Sequence, residues 1–325
     1  LTGVVQGSGR INLNANATLR AGGSFELDDD GLEIAWGRDR VRVVWETSGA
    51  EDIPLGVYLI AAPSVAYTAT SRRTRSVALV DKLTIPSEQA ITKTLTVPAG
   101  ANVIQAATNA LALTGETGVI VTDSDRVLSA PQTWTPGTSI LAVVNDLLAI
   151  AGYWSLWTDA QGRFQITPYV DPTSRPIAYE FAAGATSIHK PDWTLTSELA
   201  GVPNRVIVTS REDEAGAYFT ATAEDTSPDS PTGYPARGRW IDHIEEGVET
   251  ADQAALNAYT ARRLTEVTSQ AESFEQVKHA LIPGLWYNQA VAFQSHDVSA
   301  RATVTTMDIP LAVGAEVTAG WRRIS

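Results

Sequence analysis

Between Pro131 and Tyr179 the chain runs through a proline-led loop, an apolar helix closed by glycine, a tight strand-turn-strand and a Pro/Arg/Pro exit. That order leaves few ways to fold. The helix spans Thr138 to Ala151, with Thr138 placed to cap its start and Gly152 standing where a left-handed C-cap is wanted. Ile140, Leu141, Val144, Leu147, Leu148 and Ala151 recur at three- and four-residue spacing, so one side of the helix must be covered. After it, 153–157 and 163–167 alternate at period two around Asp159-Ala-Gln-Gly162, a turn with glycine where a positive φ costs least. The segment reads as a helix packed on a hairpin.

At 325 residues, 44% hydrophobic and 19% charged, the chain has the size for two or three globular domains. No apolar run nears the roughly 20 residues a membrane helix needs, and no leader-like segment opens the chain. Leu1 in place of Met implies a processed or omitted start. The absence of cysteine excludes disulfides, thiolate metal sites and a cysteine nucleophile together. A net charge of −13 argues against a phosphate-binding surface and against sequence-specific nucleic-acid binding. The same acidity serves a soluble surface or a wall past which a polyanion slides without sticking. Lysine stands only at 82, 93, 190 and 278, every other basic residue being arginine, a bias typical of a GC-rich genome.

Residues 1–92 read as five or six short strands without a long helix, the pattern of a sandwich or barrel. Residues 11–20 alternate apolar and polar, and Ala21-Gly-Gly23 is expected to turn the chain. Strands follow at 40–46, 53–62, 65–70 and 75–80, with 25–33 as a loop. From Pro98 the period changes: 101–113 is an amphipathic helix stopping at Gly115, and its opening faintly echoes that of the 138–151 helix. The echo fits two halves of one small α+β domain over 93–181, and equally fits ordinary capping. Residues 182–325 return to strands. A hairpin of 205–209 and 217–223 surrounds the acidic turn 212–216, Thr226 to Gly238 reads as a mobile loop, and Thr250 to Gln253 has a capping-box layout. The helix it opens shows Leu256, Tyr259, Leu264 and Val267 on one face. Strands at 274–281, 290–294, 302–309 and 317–323 close the chain.

Candidate chemistry is sparse. His189, His243, His279 and His296 are scattered without metal-ligand spacing, which favours structural or surface roles. Asp28-Asp-Asp-Gly-Leu-Glu33 lacks the ligand spacing of a calcium loop and reads as a solvated acidic turn. Ser187 and Lys190 match a Ser-x-x-Lys pattern, yet Pro191 disfavours the helical turn that would align them, and no companion elements occur. No nucleophile elbow, phosphate loop or dinucleotide fingerprint is present, and no carboxylate pair stands out for glycoside cleavage. Trp154 and Trp157 fall on opposite faces of a strand, which suits one core ring and one partly exposed ring better than a sugar-stacking platform. Catalytic, cofactor and metal residues are therefore assigned to none, and no enzyme activity is expected.

The run TWTPGTSILAVVNDLLAIAGYWSLWTDAQGRFQITPYVDPTSRPIAY resembles the central segment of phage tail-tip hubs, the trimeric baseplate hubs and minor tail proteins of long-tailed phages. IPLGVYLIAAPSVAYTAT and RSVALVD precede it, and GVPNRVIVTSRE, TADQAALNAYTARRL and TMDIPLAVGAEVTAGWRRIS follow, so the resemblance covers nearly the whole chain in order. It implies a β-rich α+β protein: two barrel-like antiparallel β domains, 1–92 and 182–325, with a small α+β domain, 93–181, between them. It further implies a structural virion protein at the distal tail tip, a homotrimer presenting six quasi-equivalent units to a six-fold tail tube and gating the DNA channel. The partners implied are the distal tail or tail-tube protein, the tape-measure protein, and a receptor-binding or central spike protein. The alternatives are a carbohydrate-binding adhesin module and a tail-associated cell-wall hydrolase. The chain as given stops after the second β-rich part, without the long extensions some tail-tip proteins carry.

Overall fold

A computed structural model describes residues 3–28, 33–46, 49, 51–67, 73–185, 187–197, 200–211, 218–248, 250, 252–268 and 272–324. First come β1 (Arg10–Asn14), β2 (Ala21–Asp28), β3 (Arg40–Trp45), β4 (Ile53–Tyr67) and β5 (Arg73–Asp81). The middle holds α1 (Thr84–Glu88), β6 (Leu95–Val97), α2 (Val103–Ala112), β7 (Val119–Val121), β8 (Gln132–Trp134), α3 (Ile140–Ala151), β9 (Trp157–Thr158), β10 (Phe164–Ile166) and β11 (Ile177–Phe181). There follow β12 (Thr194–Ser197), β13 (Arg205–Ser210), β14 (Thr220–Glu224), α4 (Tyr234–Arg237), β15 (Asp242–Val248) and α5 (Gln253–Thr268). Strands β16 (Glu272–His279), β17 (Ala290–Ser295), β18 (Val298–Pro310) and β19 (Val317–Arg323) end the chain. The fold class is α+β and β-rich, as the resemblance implies.

The first and last regions repeat one strand order. Neighbours run β1-β2-β5-β4-β3 in the first and β12-β16-β19-β18-β17 in the last. Each path takes its strands in the order first, second, fifth, fourth, third, and every neighbouring pair in both is antiparallel. The registers also match. Asn12, Gly22, Val80, Leu59 and Arg40 form one rung across the first five strands. Thr196, Ser273, Arg322, Thr303 and Ala290 form its counterpart. On the next rung Ile11, Leu79 and Ile60 are buried, as are Phe274, Trp321 and Val304 in the counterpart. One irregularity corresponds, a bulge in the β4–β5 ladder after Ala61 and one in the β18–β19 ladder after Val304, whereas the shifts after Phe274 in β16–β19 and after Arg42 in β3–β4 have no counterpart.

The two regions are also joined. β1 pairs antiparallel with β18, Ile11 facing Ile309, so both sets of strands lie in one 11-stranded sheet. Their apolar side chains form one hydrophobic cluster running from Ile11 through Phe25 and Leu79 to Phe293 and Trp321. The middle part has its own core around α3, in which Ile140, Leu141, Val143, Val144, Leu147 and Leu148 are buried against Phe164, Ile166, Tyr153 and Leu156. The echo between the two helix openings corresponds to a strand before each helix: β6 leads to α2, β8 leads to α3, and β6 pairs with β8. A third, smaller cluster lies where α5 covers the separate sheet β14-β13-β15.

Several local expectations are corrected. Ala21-Gly22-Gly23 is strand, not turn: a Cβ on Gly23 would lie 2.3 Å from the Arg10 carbonyl oxygen, so glycine is there to let β1 and β2 approach. Residues 53–67 form one bulged strand rather than two, and residues 68–70 lie outside the described residues. Ser139 rather than Thr138 caps α3, accepting the Ala142 N–H, while the Thr138 hydroxyl donates to the Thr135 carbonyl. Gly152 closes α3 in the left-handed region, φ 74° and ψ 33°, as expected. Asp252, not Thr250, caps α5 by accepting the Ala255 N–H at 2.7 Å. The 226–238 segment is tied down: Asp225 accepts from Ser230 Oγ and from the Ser227 and Tyr234 N–H groups, and 234–237 form a helical turn. The acidic turn 212–216 lies outside the described residues.

Leu147 of α3 is fully buried in the core of the middle part. Leu147→Ala is therefore expected to destabilise the protein by roughly 2–5 kcal/mol. A thermal or denaturant melt checks it, and an unshifted midpoint contradicts the packing.

Candidate assembly interface

The surfaces that distinguish this molecule are strand edges. β12 pairs with β16 on one side, and all four of its residues, Thr194 to Ser197, are exposed. No strand pairs with its other side among the described residues. β4 is paired with β5 as far as Tyr67, but with β3 only up to Leu59. Beyond Leu59 its second edge is open among the described residues. Open edges carry unpaired N–H and C=O groups and are pairing surfaces by construction. By contrast, the edge of β18 beyond β17 is occupied by β1 over Thr306 to Pro310.

The parts that carry these edges are held by a buried polar knot. The Asp81 carboxylate accepts the backbone N–H of Arg20 (2.9 Å) and Ala21 (3.0 Å) on one oxygen. Its other oxygen accepts the Leu83 N–H (3.0 Å) and the Thr158 hydroxyl (3.1 Å). Burial pushes its pKa above the usual carboxylate range, and the four donors oppose that push. The Thr158 carbonyl in turn accepts the hydroxyl of Tyr287 (2.9 Å) and the indole N–H of Trp286 (3.3 Å). Next to it, Lys82 Nζ donates to the Gly162 carbonyl at 2.8 Å and pairs with Glu116 at 3.0 Å. One cluster thus ties the first strands, the middle domain and the last strands together.

A second joint is built from arginines. A cavity of about 390 Å³ is bordered by Arg20, Arg175, Arg262, Arg263 and Arg322. Arg175, from the Pro/Arg/Pro exit, lies 4.8 Å above the Trp154 ring and donates to the carbonyls of Val170 and Asn288, each at 2.9 Å. Arg262 on α5 sits between Tyr169 (5.2 Å) and Tyr259 (5.1 Å). Such contacts contribute about 0.5–2 kcal/mol each, and the one between Arg262 and Tyr169 fastens α5 to the middle domain. Burial pulls the pKa of Arg20, Arg175 and Arg322 down, and the Arg322 charge adds to this at Arg175.

The residues singled out in sequence are not brought together into a catalytic arrangement. Ser187 Oγ lies 2.9 Å from His189 Nδ1, whereas Lys190 Nζ pairs with Glu316 at 3.0 Å, so serine and lysine face different partners. His189 and His279 are buried beside each other in the last-strand core, where His279 packs on Phe181 and Trp321. His243 Nε2 lies 2.8 Å from Glu245, and His296 Nε2 lies 2.9 Å from the Pro191 carbonyl. Among the described residues no group of three or more His, Asp or Glu could hold a metal ion. Residues 29–32 of the acidic run lie outside the described residues. Trp154 packs at a tilt on Tyr169 and Trp157 meets Tyr287 edge-on; both rings are half-buried, so neither is the expected core ring. Sequence reasoning missed Asp81, Thr158 and Arg175 as joints, because each acts through partners distant in the chain. The strand alternation around them was the only signal.

No protein-family model matches the chain, and no curated protein matches it. Solved structures do. A tail protein from Neisseria meningitidis aligns at a TM-score of 0.71 and 12% identity, over 97% of this chain and 91% of that one. The 43 kDa tail protein of prophage MuSo2 from Shewanella oneidensis aligns at 0.65 and 14% identity, over 97% and 94%. An Escherichia coli component of the type VI secretion system, described as structurally similar to phage T4 tail proteins gp27 and gp5, aligns at 0.57 and 10%, over 100% and 75%. The chain has the fold of phage tail proteins. None of these three is named as an enzyme.

Two outcomes follow from this geometry. In either amide orientation Asp81→Asn turns an NH₂ toward at least one backbone N–H that now finds an acceptor, Leu83 on one side or Arg20 and Ala21 on the other, and is expected to cost about 1–3 kcal/mol per stranded donor. A melt checks it. Burial lowers the pKa of His279, as it does that of His189, so the neutral imidazoles stabilise the fold fully above the unfolded value of about 6.5. That contribution is lost as pH falls from there toward the lower folded values. Denaturant midpoints between pH 7 and pH 5 should fall in the wild type, and fall less in His279→Gln.

Proposed function

We propose that this protein is a structural component of a phage virion, the hub at the distal tip of a long tail, assembled as a homotrimer. The observation that carries the reading is the repeated five-strand order with its matched rungs. Two similar units per chain give a three-fold particle six similar positions, which is what a six-fold tube requires of the object that caps it. In this reading 1–92 and 182–325 supply the two β-rich units, and 93–181 decorates the ring from outside. The tail-protein fold over nearly the whole chain supports the same reading.

The partners proposed are the distal tail or tail-tube protein on one side, a receptor-binding or central spike protein on the other, and the tape-measure protein within. The net charge of −13 suits a channel wall, because acidic side chains facing the lumen repel DNA phosphates and keep the passing polyanion from binding. The adhesin and hydrolase alternatives are less supported: Trp154 and Trp157 are engaged with Tyr169, Arg175 and Tyr287 rather than aligned as a platform.

Native mass spectrometry with electron microscopy of the purified chain tests the proposal. Three copies in a three-fold ring with an acidic lumen are expected. A chain that stays monomeric and binds a glycan array overturns it in favour of an adhesin, and peptidoglycan clearing on a zymogram overturns it in favour of a hydrolase.

A further inference from the structure

We infer that the β1–β18 seam is made a second time between copies of this chain, β12 of one copy pairing antiparallel with the open edge of β4 of a second. By the matched rungs, β12 stands where β1 stands in the first unit, and β4 stands where β18 stands in the last. β1 lies between β2 and β18. Its counterpart β12 has β16 on one side and, among the described residues, nothing on the other. Likewise β18 is paired with β17 up to Thr303 and then with β1 from Thr306 to Pro310. Its counterpart β4 is paired with β3 up to Leu59 and then runs on to Tyr67 with that edge open among the described residues. Each half of the seam is therefore present without its mate, and the two open halves are complementary.

The repeat fixes the register as well. Within the chain Asn12 faces Asp308, Ile11 faces Ile309 and Arg10 faces Pro310. Asp308 faces Thr318 on β19, and Ser64 faces Ser76 on β5, four residues before Arg322 and Val80 of the common rung. Transferring the pairs places Thr196 opposite Ser64, Leu195 opposite Val65 and Thr194 opposite Ala66 of the second copy. Pro63, which has no N–H, bounds the ladder at its end. Side-chain chemistry fits. Ile11 and Ile309 are buried in the internal seam, while Leu195, in the position of Ile11, is 41% exposed and awaits cover. Neither 194–197 nor 64–66 carries a charge, although natural proteins commonly guard open edges with lysine or other charges. The two edges are different surfaces, so the contact is head-to-tail and adds copies until a ring closes. That the ring closes at three copies rests on the hub reading; the pairing of β12 with β4 does not.

The chain has no cysteine, which makes the test direct. One batch carries Thr196→Cys and another Ser64→Cys; the two are mixed and mildly oxidised. Asn12 and Asp308, the template pair, are a non-hydrogen-bonded pair, the cross-strand position where Cβ atoms come closest and a disulfide of about 3.5–4.5 Å between Cβ atoms can form. A covalent dimer is expected from this mixture, and not from Thr196→Cys mixed with Ala66→Cys. Leu195→Lys, at an exposed position, is expected to leave the melting temperature unchanged and to abolish assembly. If the wild type forms a three-fold ring while the pair does not cross-link and Leu195→Lys still assembles, the seam is overturned and the hub reading stands. If the wild type does not assemble and no cross-link forms, both are overturned.

Discussion

The buried contact between Asp81 and Thr158 fixes how the first strands, the middle hairpin and the last strands sit together. A carboxylate taken out of water is expensive unless donors replace the solvent, and here four donors do so, three of them backbone N–H groups. Because those donors come from the β1–β2 turn, from the residue after next in the chain and from the middle hairpin, the requirement to satisfy one charge sets the relative position of three segments. Thr158 passes the constraint on through its carbonyl to Tyr287 and Trp286. The apolar clusters supply most of the stability, yet they are tolerant of small shifts in a way that a four-donor site is not.

Around that knot the chain places two copies of one strand pattern; apart from register shifts in β16–β19 and β3–β4, the large differences between them lie in the connections. The first repeat crosses from β1 to β2 by the short turn 15–20, whereas the second crosses from β12 to β16 through the whole β13-β14-β15 sheet and α5. The middle domain likewise sits in the connection between repeats. Insertions at the ends of strands leave the ladder geometry untouched, since loop length costs little once the ends are fixed. The arginine and aromatic joint at Arg175 and Arg262 then anchors these additions to each other.

Much of the local structure was legible in sequence. The apolar period of 140–151, the glycine at 152 and the alternation about Gly162 predicted α3 and its hairpin, because those signals are short-range and their physics is capping and periodicity. Boundaries set by tertiary contact were not legible. Gly22 and Gly23 look like a turn, and only the closeness of the Arg10 carbonyl shows why a strand needs glycine there. Asp81 reads as the polar end of a strand, since nothing in the sequence near it announces Thr158. The repeat itself was invisible to residue comparison: Asn12 corresponds to Thr196, Val80 to Arg322 and Leu59 to Thr303, pairs that share backbone position and little chemistry. Strand order is conserved by hydrogen bonding, which every residue except proline provides.

That same independence from side chains explains how one chain can hold two equivalent units and yet keep them apart. Were the repeats identical in sequence, each β1-like strand would compete equally for each β18-like edge, within and between copies. Here the internal seam buries Ile11 and Ile309 in a shared core, so it forms as the chain folds. The second pair of edges carries Thr194, Thr196 and Ser64 beside Leu195 and Val65, a more polar surface than Ile11 and Ile309 offer. On the pairing proposed between copies, divergence of side chains on a common strand order would separate folding from assembly, with no element beyond those the ladder already contains.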